Sequence, residues 1–172
     1  KETVEFYRDI LGLKVTHAIT AKGWGREEHP DFLHFFFDAG NGAAIAFFFY
    51  IGTEPMKEPA GPRGYLGMAR HTAWRVETAE ELVQWRERLV AKGISISEEV
   101  QHEVIKSIYF RDPNGYPLEI SLTTRELGEA DATDAALSLE AMIETFVDGE
   151  SPETKTIQDM WRLKGEKVRE LT

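Results

Sequence analysis

Apolar and polar positions follow two different periods along the first fifty residues. Apolar positions between residues 4 and 11 recur at helical spacing, and Gly12 is expected to end that helix. Residues 13–19 then alternate as a strand. The stretch "FLHFFFDAGNGAAIAFFFYIG" predicts two further strands around a turn at 38–42, because Asp, Asn and Gly favour tight turns. The pattern therefore predicts one helix followed by three strands.

The same order of elements begins again after a connector at 56–67 that is rich in proline and glycine. The stretch "MARHTAWRVE" predicts a strand, and Thr78 is a candidate N-cap with Glu81 as its capping-box partner. The helix that follows is predicted to end at Gly93 and to bury one stripe, formed by Leu82, Trp85, Leu89 and Val90. Three more strands are predicted at 94–100, 107–111 and 116–122.

These two halves form an internal repeat. "VEFYRDILGL" lies beside "VQWRERLVAKGI", and "HFFFDAGNGAAIAF" lies beside "IYFRDPNGYPLEI" with Asp38 opposite Asp112. Only the second copy has a leading strand, the one that carries His71. The alignment therefore predicts that the first copy's leading strand lies upstream of Lys1 and that this chain lacks its natural amino terminus.

Composition excludes several classes of function. The chain has 172 residues, 42% hydrophobic side chains and a formal net charge of −10. That charge argues against nucleic acid or an anionic membrane as partner, since both would repel it. The sequence has no cysteine, which excludes disulfides, thiolate metal sites and cysteine nucleophiles. No apolar run is long enough to span a bilayer and no signal peptide is evident, so we expect a soluble, cytoplasmic protein.

The motifs "FYRDILGL" and "DPNGYPLEI", together with the strand that carries His71, resemble the vicinal oxygen chelate superfamily. Its members include glyoxalases, bleomycin-resistance proteins, fosfomycin-resistance enzymes and extradiol dioxygenases. The resemblance covers residues 1 to about 122. It implies an α+β fold in which paired βαβββ modules, at 1–55 and 68–122, form a half-open barrel cleft that holds a divalent metal. Residues 123–172 would be a C-terminal helical extension outside the resemblance.

Carried onto this sequence, the resemblance makes His71 and Glu119 metal ligands. Strand alternation puts Leu118 and Ile120 on the helix-covered side and Glu119 on the other, where an enclosed carboxylate needs a cation or dense hydrogen bonding. Ala46 aligns with Glu119, so module one offers no carboxylate. With an upstream histidine the site would hold two histidines and one carboxylate, which suits Fe(II) first and Mn(II) nearly as well. Taken singly, His71 is also compatible with a core histidine and Glu119 with an edge-strand carboxylate.

A second signature is typical of extradiol dioxygenases. "VQHEVIKSIYFRDPNGYPLE" places a histidine, a tyrosine, Asp-Pro-x-Gly and a glutamate at the spacing of that group. By resemblance, His102 would hydrogen-bond or shuttle protons at a bound diol, and Tyr109 would donate to the diol oxygen. The alternatives are an exposed loop histidine and a packing aromatic, since Asp-Pro-x-Gly also makes a good turn by itself.

One departure counts against ring cleavage. Well-studied extradiol members carry a further histidine in module two, upstream of the second metal ligand, and the corresponding stretch "PMKEPAGPRGYLGMAR" contains none. His17, His29 and His34 lie elsewhere and are interpreted as surface or turn residues.

The predicted cleft wall suggests a flat substrate. By alternation, Arg75 would face inward from module two and receive a carboxylate or phenolate. From module one, the inward residues would be Phe35, Phe37, Phe48, Tyr50, Ala44 and Ala46, of which Phe35 and Phe48 are the candidate substrate contacts. The alternative is that these aromatics fill the core.

The last fifty residues predict two amphipathic helices, "TDAALSLEAMIETFV" and "SPETKTIQDMWRLKGEKVREL", the second capped by Ser151 with Pro152 in its first turn. Their apolar faces favour a homodimer.

Three functions are compatible with the sequence. The first is an oxygenase that cleaves a small aromatic diol with dioxygen. The second is a lyase, isomerase or transferase that uses the metal as a Lewis acid, and the third is a ligand-sequestering protein of the bleomycin-resistance type.

Overall fold

Two open β-sheets and two helices make up the first 124 residues in the computed structural model, which describes residues 1–22, 29–54, 70–149 and 151–171. The first sheet is antiparallel, with strand order β1-β2-β3: β1 Val15–Ala21, β2 Phe32–Gly40 and β3 Ala43–Tyr50. The second sheet has the order β4-β7-β6-β5: β4 Thr72–Val76, β5 Val100–His102, β6 Ile105–Arg111 and β7 Pro117–Thr123. Its strands are antiparallel except that β4 runs parallel to β7.

The helices of this part follow the predicted pattern. Helix α1 starts as an α-helical turn at Glu2–Val4 and continues as a π-helix at Glu5–Ile10, and α2 spans Ala79–Ala91. Thr78 caps α2 as predicted, since its side chain accepts from the Glu81 N–H and Glu81 bonds back to its backbone. The α+β fold class is confirmed, and neither sheet closes into a barrel within the described residues.

Residues 125–171 form a second compact unit. Helix α3 spans Glu129–Phe146, a 3₁₀ turn spans Pro152–Thr154, and α4 spans Ile157–Glu170. Exposed ion pairs from Lys164 to Asp134 and from Lys167 to Glu144 join α3 to α4. In the part of the chain that the structure describes, no helix is both long and apolar enough to cross a bilayer. The predicted division at 55, 68 and 122 into three parts stays a prediction.

The core lies where the helices meet both sheets. Tyr7 of α1 stacks against Phe37 of the first sheet, with ring centroids 5.5 Å apart, while Phe6 packs 6.4 Å from Phe110 of the second sheet. Leu82 and Leu89 of α2 are 2% and 0% exposed in the same cluster. Both sheets therefore share one hydrophobic core, and alternate residues of each sheet point away from it.

Three local predictions are wrong, each for a physical reason. Val90 is 56% exposed, because α2 turns only its Leu82–Leu89 side to the sheet. A strand was predicted at 94–100, but β5 covers only Val100–His102. The Tyr109 N–H donates to the Ser97 hydroxyl oxygen instead of to a backbone carbonyl, while the Ser97 N–H donates to the Tyr109 carbonyl, and this interrupts the regular backbone ladder. Helix α4 is capped by Thr156 rather than Ser151, because the Thr156 N–H and hydroxyl both donate to Asp159.

The registers of the two sheets correct the predicted alignment of the repeat. Tyr109 pairs with Glu119 across β6 and β7, and Phe36 pairs with Ala46 across β2 and β3. The two hairpins have the same length from Phe36 to Ala46 and from Tyr109 to Glu119, so the residue at the position of Asp112 is Ala39 and not Asp38. The register of the first hairpin also shifts between Asp38 and Gly40. Matching the turns at Asp38 therefore slips β2 by one position, and a slip of one residue moves every side chain to the other face.

This slip overturns the prediction that Phe35 and Phe48 face the same side. Phe35 pairs with Phe47 and stacks on it with centroids 5.7 Å apart, so both point toward the core. Phe48 pairs with His34 and lies on the opposite face. Phe37 is likewise a core residue, fully buried against Tyr7.

A buried hydrogen bond ties α1 to the second sheet. The Tyr7 hydroxyl donates to Asp112 Oδ2 at 3.1 Å, and Asp112, which is 5% exposed, also accepts from the N–H groups of Asn114 and Tyr116. Burial, followed by the charge of Asp112, raises the pKa of Tyr7, so its hydroxyl stays a donor. The Asp-Pro-x-Gly turn thus anchors the helix as well as reversing the chain.

Replacing Tyr7 with Phe is expected to lower the free energy of unfolding by about 1.5–3 kcal/mol, the range for a hydrogen bond to a charged group. The ring packing stays, so the loss reports on the hydroxyl. Urea titration of Tyr7→Phe beside Tyr50→Phe, at a 37% exposed tyrosine, measures it. Equal shifts in both variants would contradict this role for Asp112.

Candidate functional site

The alternation of β7 places one carboxylate on the face opposite the core. Leu118 and Ile120 are buried in the core cluster, whereas Glu119 points to the other face and is still only 6% exposed. His71 immediately precedes β4, whose Ala73 is the parallel neighbour of Glu119. The pairing of β4 with β7 therefore brings His71 Nε2 to 2.9 Å from Glu119 Oε2.

The second carboxylate oxygen of Glu119 is held by a serine. The Ser107 hydroxyl donates to Glu119 Oε1 at 2.5 Å, and the Ser107 side chain is fully buried. The sequence prediction assigned Ser107 no role. The only signal was its position two residues before Tyr109, which puts both side chains on the face of Glu119.

The signature residues His102 and Tyr109 also come together. His102 ends β5, and its Nε2 lies 2.9 Å from the Tyr109 hydroxyl. Tyr109 is the direct cross-strand neighbour of Glu119, and its ring centroid is 6.2 Å from that of His71. Tyr109 therefore lies between the exposed His102 and the pair formed by His71 and Glu119.

The electrostatics of Tyr109 favour its protonated form. Burial raises the pKa of Tyr109, and the charge of Glu119 raises it further, while the nearby Ser107 hydroxyl acts in the opposite direction. The phenol is therefore protonated at neutral pH and is a hydrogen-bond donor. Its neighbour His102 is exposed, so it can exchange protons with solvent.

Arg75 lies two residues beyond Ala73 on β4 and is exposed. Its Nη2 pairs with Glu77 at 2.9 Å. Arg75 also borders an apolar pocket on the helix side of the sheet, lined by Leu11, Leu13, Trp74, Val76, Trp85 and Ile120. Because Trp74 and Ile120 point away from Glu119, that pocket lies on the opposite side of the sheet from the carboxylate. A role for Arg75 toward substrate stays a prediction.

Phe48 belongs to a stack of flat rings on the first sheet. The His34 ring is parallel to it with centroids 3.8 Å apart, and the Tyr50 ring is also parallel, with its centroid 5.5 Å away. The His34 Nδ1 is 2.9 Å from the Phe47 carbonyl oxygen, which fixes the imidazole in the stack. Phe48 is 39% exposed, so this face retains open aromatic surface.

The donor set of His71 and Glu119 fits part of a metal centre. Two neighbouring ligands, each about 2.1 Å from an octahedral ion, stand about 3 Å apart, which matches the separation of 2.9 Å between these side chains. The same separation also suits a hydrogen bond from a protonated imidazole. No group of three His, Asp or Glu side chains gathers around one point within the described residues. The predicted third ligand, an upstream histidine, lies outside the residues that the structure describes.

The sequence is similar to that of known proteins. A sequence model of the Glyoxalase/Bleomycin resistance protein/Dioxygenase superfamily matches residues 1–120. Biphenyl-2,3-diol 1,2-dioxygenase 2 of Rhodococcus globerulus is 36% identical over 72 residues, which cover 42% of this chain and 37% of that protein. The chain thus spans well under half the length of this relative.

Two further relatives are similar over longer stretches. Biphenyl-2,3-diol 1,2-dioxygenase 3 of Rhodococcus globerulus is 28% identical over 176 aligned positions, which cover 95% of this chain and 84% of that protein. Manganese-dependent 2,3-dihydroxybiphenyl 1,2-dioxygenase of Geobacillus genomosp. 3 is 30% identical over 129 positions, covering 70% of this chain and 32% of that protein.

Proposed function

The chain belongs to the Glyoxalase/Bleomycin resistance protein/Dioxygenase superfamily, and we propose that it is a metal-dependent dioxygenase of the extradiol type that cleaves a small aromatic diol. The observation that carries the proposal is the arrangement on one sheet face. The pair of His71 and Glu119 lies next to the pair of Tyr109 and His102. Relatives named as biphenyl-diol dioxygenases support this reaction class. The diol itself belongs to the proposal, since the match covers only 37% of the first of these relatives.

In this proposal His71 and Glu119 would hold a divalent metal as two of its protein ligands. When bound, that metal supplies a positive centre where the two vicinal oxygens of the substrate and dioxygen meet. Fe(II) is the first candidate. Mn(II) is the second, and a relative that is named manganese-dependent supports it.

The other residues act on protons and on the ring. Tyr109, kept protonated by burial, donates to one diol oxygen and stabilises the charge that develops there. His102, 2.9 Å from the Tyr109 hydroxyl and exposed, passes the proton between the phenol and water. The ring stack to which Phe48 belongs offers aromatic surface to the substrate ring, and Arg75 attracts the charge of the substrate. Phe35 points into the core and has no part in this proposal.

The test is turnover with and without dioxygen. After loading with Fe(II) or Mn(II), the protein is expected to convert catechol or 2,3-dihydroxybiphenyl to a coloured ring-cleaved product, with dioxygen and diol consumed in equal amounts. Under anaerobic conditions the product should not form. Absorbance and an oxygen electrode measure the two quantities, and Glu119→Ala with the same metal controls for chemistry of the free ion. Conversion that continues without dioxygen would contradict the proposal and favour a lyase or isomerase.

The expectations that the protein is cytoplasmic, forms a homodimer and has no nucleic-acid or membrane partner stay predictions.

A further inference from the structure

Ser107 contacts Glu119, although the proposed function gives Ser107 no role. Its side chain is fully buried at the centre of β6, and its hydroxyl donates to Glu119 Oε1 at 2.5 Å. Glu119 is 6% exposed, so water has little access to orient its carboxylate. A hydroxyl that donates to a buried carboxylate makes a charge-assisted hydrogen bond, which is about twice as strong as a neutral one.

The two oxygens of Glu119 have separate partners. Oε1 accepts from Ser107, and Oε2 lies 2.9 Å from His71 Nε2. We propose that Ser107 is the positioning residue of Glu119, which fixes one oxygen so that the other is presented beside His71 as a single-oxygen ligand. The inference rests on the proposed function, because it concerns the carboxylate that would hold the metal.

The registers of the two sheets support this pairing of serine with carboxylate. Ser107 lies two residues before Tyr109 on β6, so it is the diagonal neighbour of Glu119, at a distance that the long Glu side chain reaches. At the corresponding place in the first sheet stands His34, and the counterpart of Glu119 there is Ala46. The second sheet thus has both the serine and the carboxylate, and the first sheet has neither.

Ser121 is a matched control for Ser107. It is the direct cross-strand partner of Ser107 on the same face, but its hydroxyl is directed at the Trp74 carbonyl oxygen, 3.5 Å away. Removing either hydroxyl makes the same chemical change on the same sheet face. Only the loss at Ser107 releases an oxygen of Glu119.

The test is the affinity for Mn(II), measured by competition with a fluorescent chelator. Ser107→Ala and Ser107→Val are expected to weaken binding about 10–100-fold, the usual effect of losing a group that orients a metal ligand. Ser107→Thr, which has the shape of Val but keeps a hydroxyl, should restore most of the affinity, and Ser121→Ala should leave it unchanged. Thermal unfolding by circular dichroism checks that each variant is folded.

The outcomes separate this inference from the function on which it rests. Binding by Ser107→Ala and Ser107→Val as tight as by the unaltered chain would overturn the role of Ser107 and leave the metal site standing. An unaltered chain that binds no Mn(II) or Fe(II) would remove the metal site and the inference together. Equal losses in the Thr and Val variants, through affinity or through unfolding, would show that Ser107 acts by packing and would also overturn it.

Discussion

Glu119→Ala and His71→Ala are each expected to lose most of the bound metal. The unaltered site should hold about one Fe(II) or Mn(II) per chain, and each variant should fall to about a tenth of that or less, because the remaining ligands hold a divalent ion of this kind poorly. Glu119 supplies a carboxylate in direct contact with His71, so its removal takes a charged ligand from the site. Metal analysis after loading and desalting measures the loss.

The fold should survive the change at Glu119. The mutation removes a carboxylate that is 6% exposed, whose burial is costly without partners, and it leaves a small residue. The first sheet already has Ala46 at the corresponding register position. The cost that remains is the Ser107 hydroxyl, which loses its acceptor, about 1–3 kcal/mol for a buried polar group. Circular dichroism should therefore show an unfolding transition at a lower temperature with the same secondary structure.

A surface carboxylate provides the control for metal content. Glu77 follows β4 and is exposed, so Glu77→Ala should keep the full metal content. Metal that is unchanged in Glu119→Ala and His71→Ala, or lost equally in Glu77→Ala, would contradict the assignment of the ligands.

Part of this site follows from the sequence. Glu119 stands between two apolar residues of a strand, and alternation fixes its face. The association of His71 with Glu119 came from the family resemblance, and the structure shows the strand pairing that brings them together. The match of the superfamily to residues 1–120 confirms the family resemblance drawn from the same motifs.

The errors arise where a shift of one residue changes the pairing register of a strand, or where one side-chain contact interrupts a backbone hydrogen-bond ladder. Matching Asp38 with Asp112 put Phe35 on the predicted cleft side, whereas the observed register puts it in the core, and the run of aromatic residues before Asp38 gives no sign of the slip. Ser107 was missed for a different reason. A serine in a strand has no distinctive spacing, and its role depends on the conformation of Glu119.

The two sheets carry different chemistry at matching positions. The second sheet has the polar residues Ser107, Tyr109, Glu119 and Ser121, while the first has His34, Phe36, Ala46 and Phe48 in the same registers. One module therefore presents ionisable and hydrogen-bonding groups, and the other presents a stack of rings. An aromatic diol needs both kinds of surface, which is why this difference supports a ring substrate.

Tyr109→Phe is expected to lower turnover about tenfold to a thousandfold while metal content stays the same, because it removes a donor aimed at developing charge without touching a ligand. The ring packing of Tyr109 against His71 and His102 is retained in the variant. Initial rates with catechol, normalised to bound metal, measure the effect. Tyr116→Phe is the control, since its hydroxyl contacts Thr72 at 3.3 Å and the residue is 40% exposed. It should keep full turnover.

A double variant tests whether Tyr109 and His102 act together. If His102 passes the proton that Tyr109 holds, His102→Gln alone should lower turnover. Tyr109→Phe combined with His102→Gln should then be little slower than Tyr109→Phe alone, because residues that act as a unit lose their effects non-additively. Additive losses would show that the contact of 2.9 Å between them is not a proton path. Unchanged turnover in Tyr109→Phe would leave both residues with a packing role only, and the pair of His71 and Glu119 would then have to act without them.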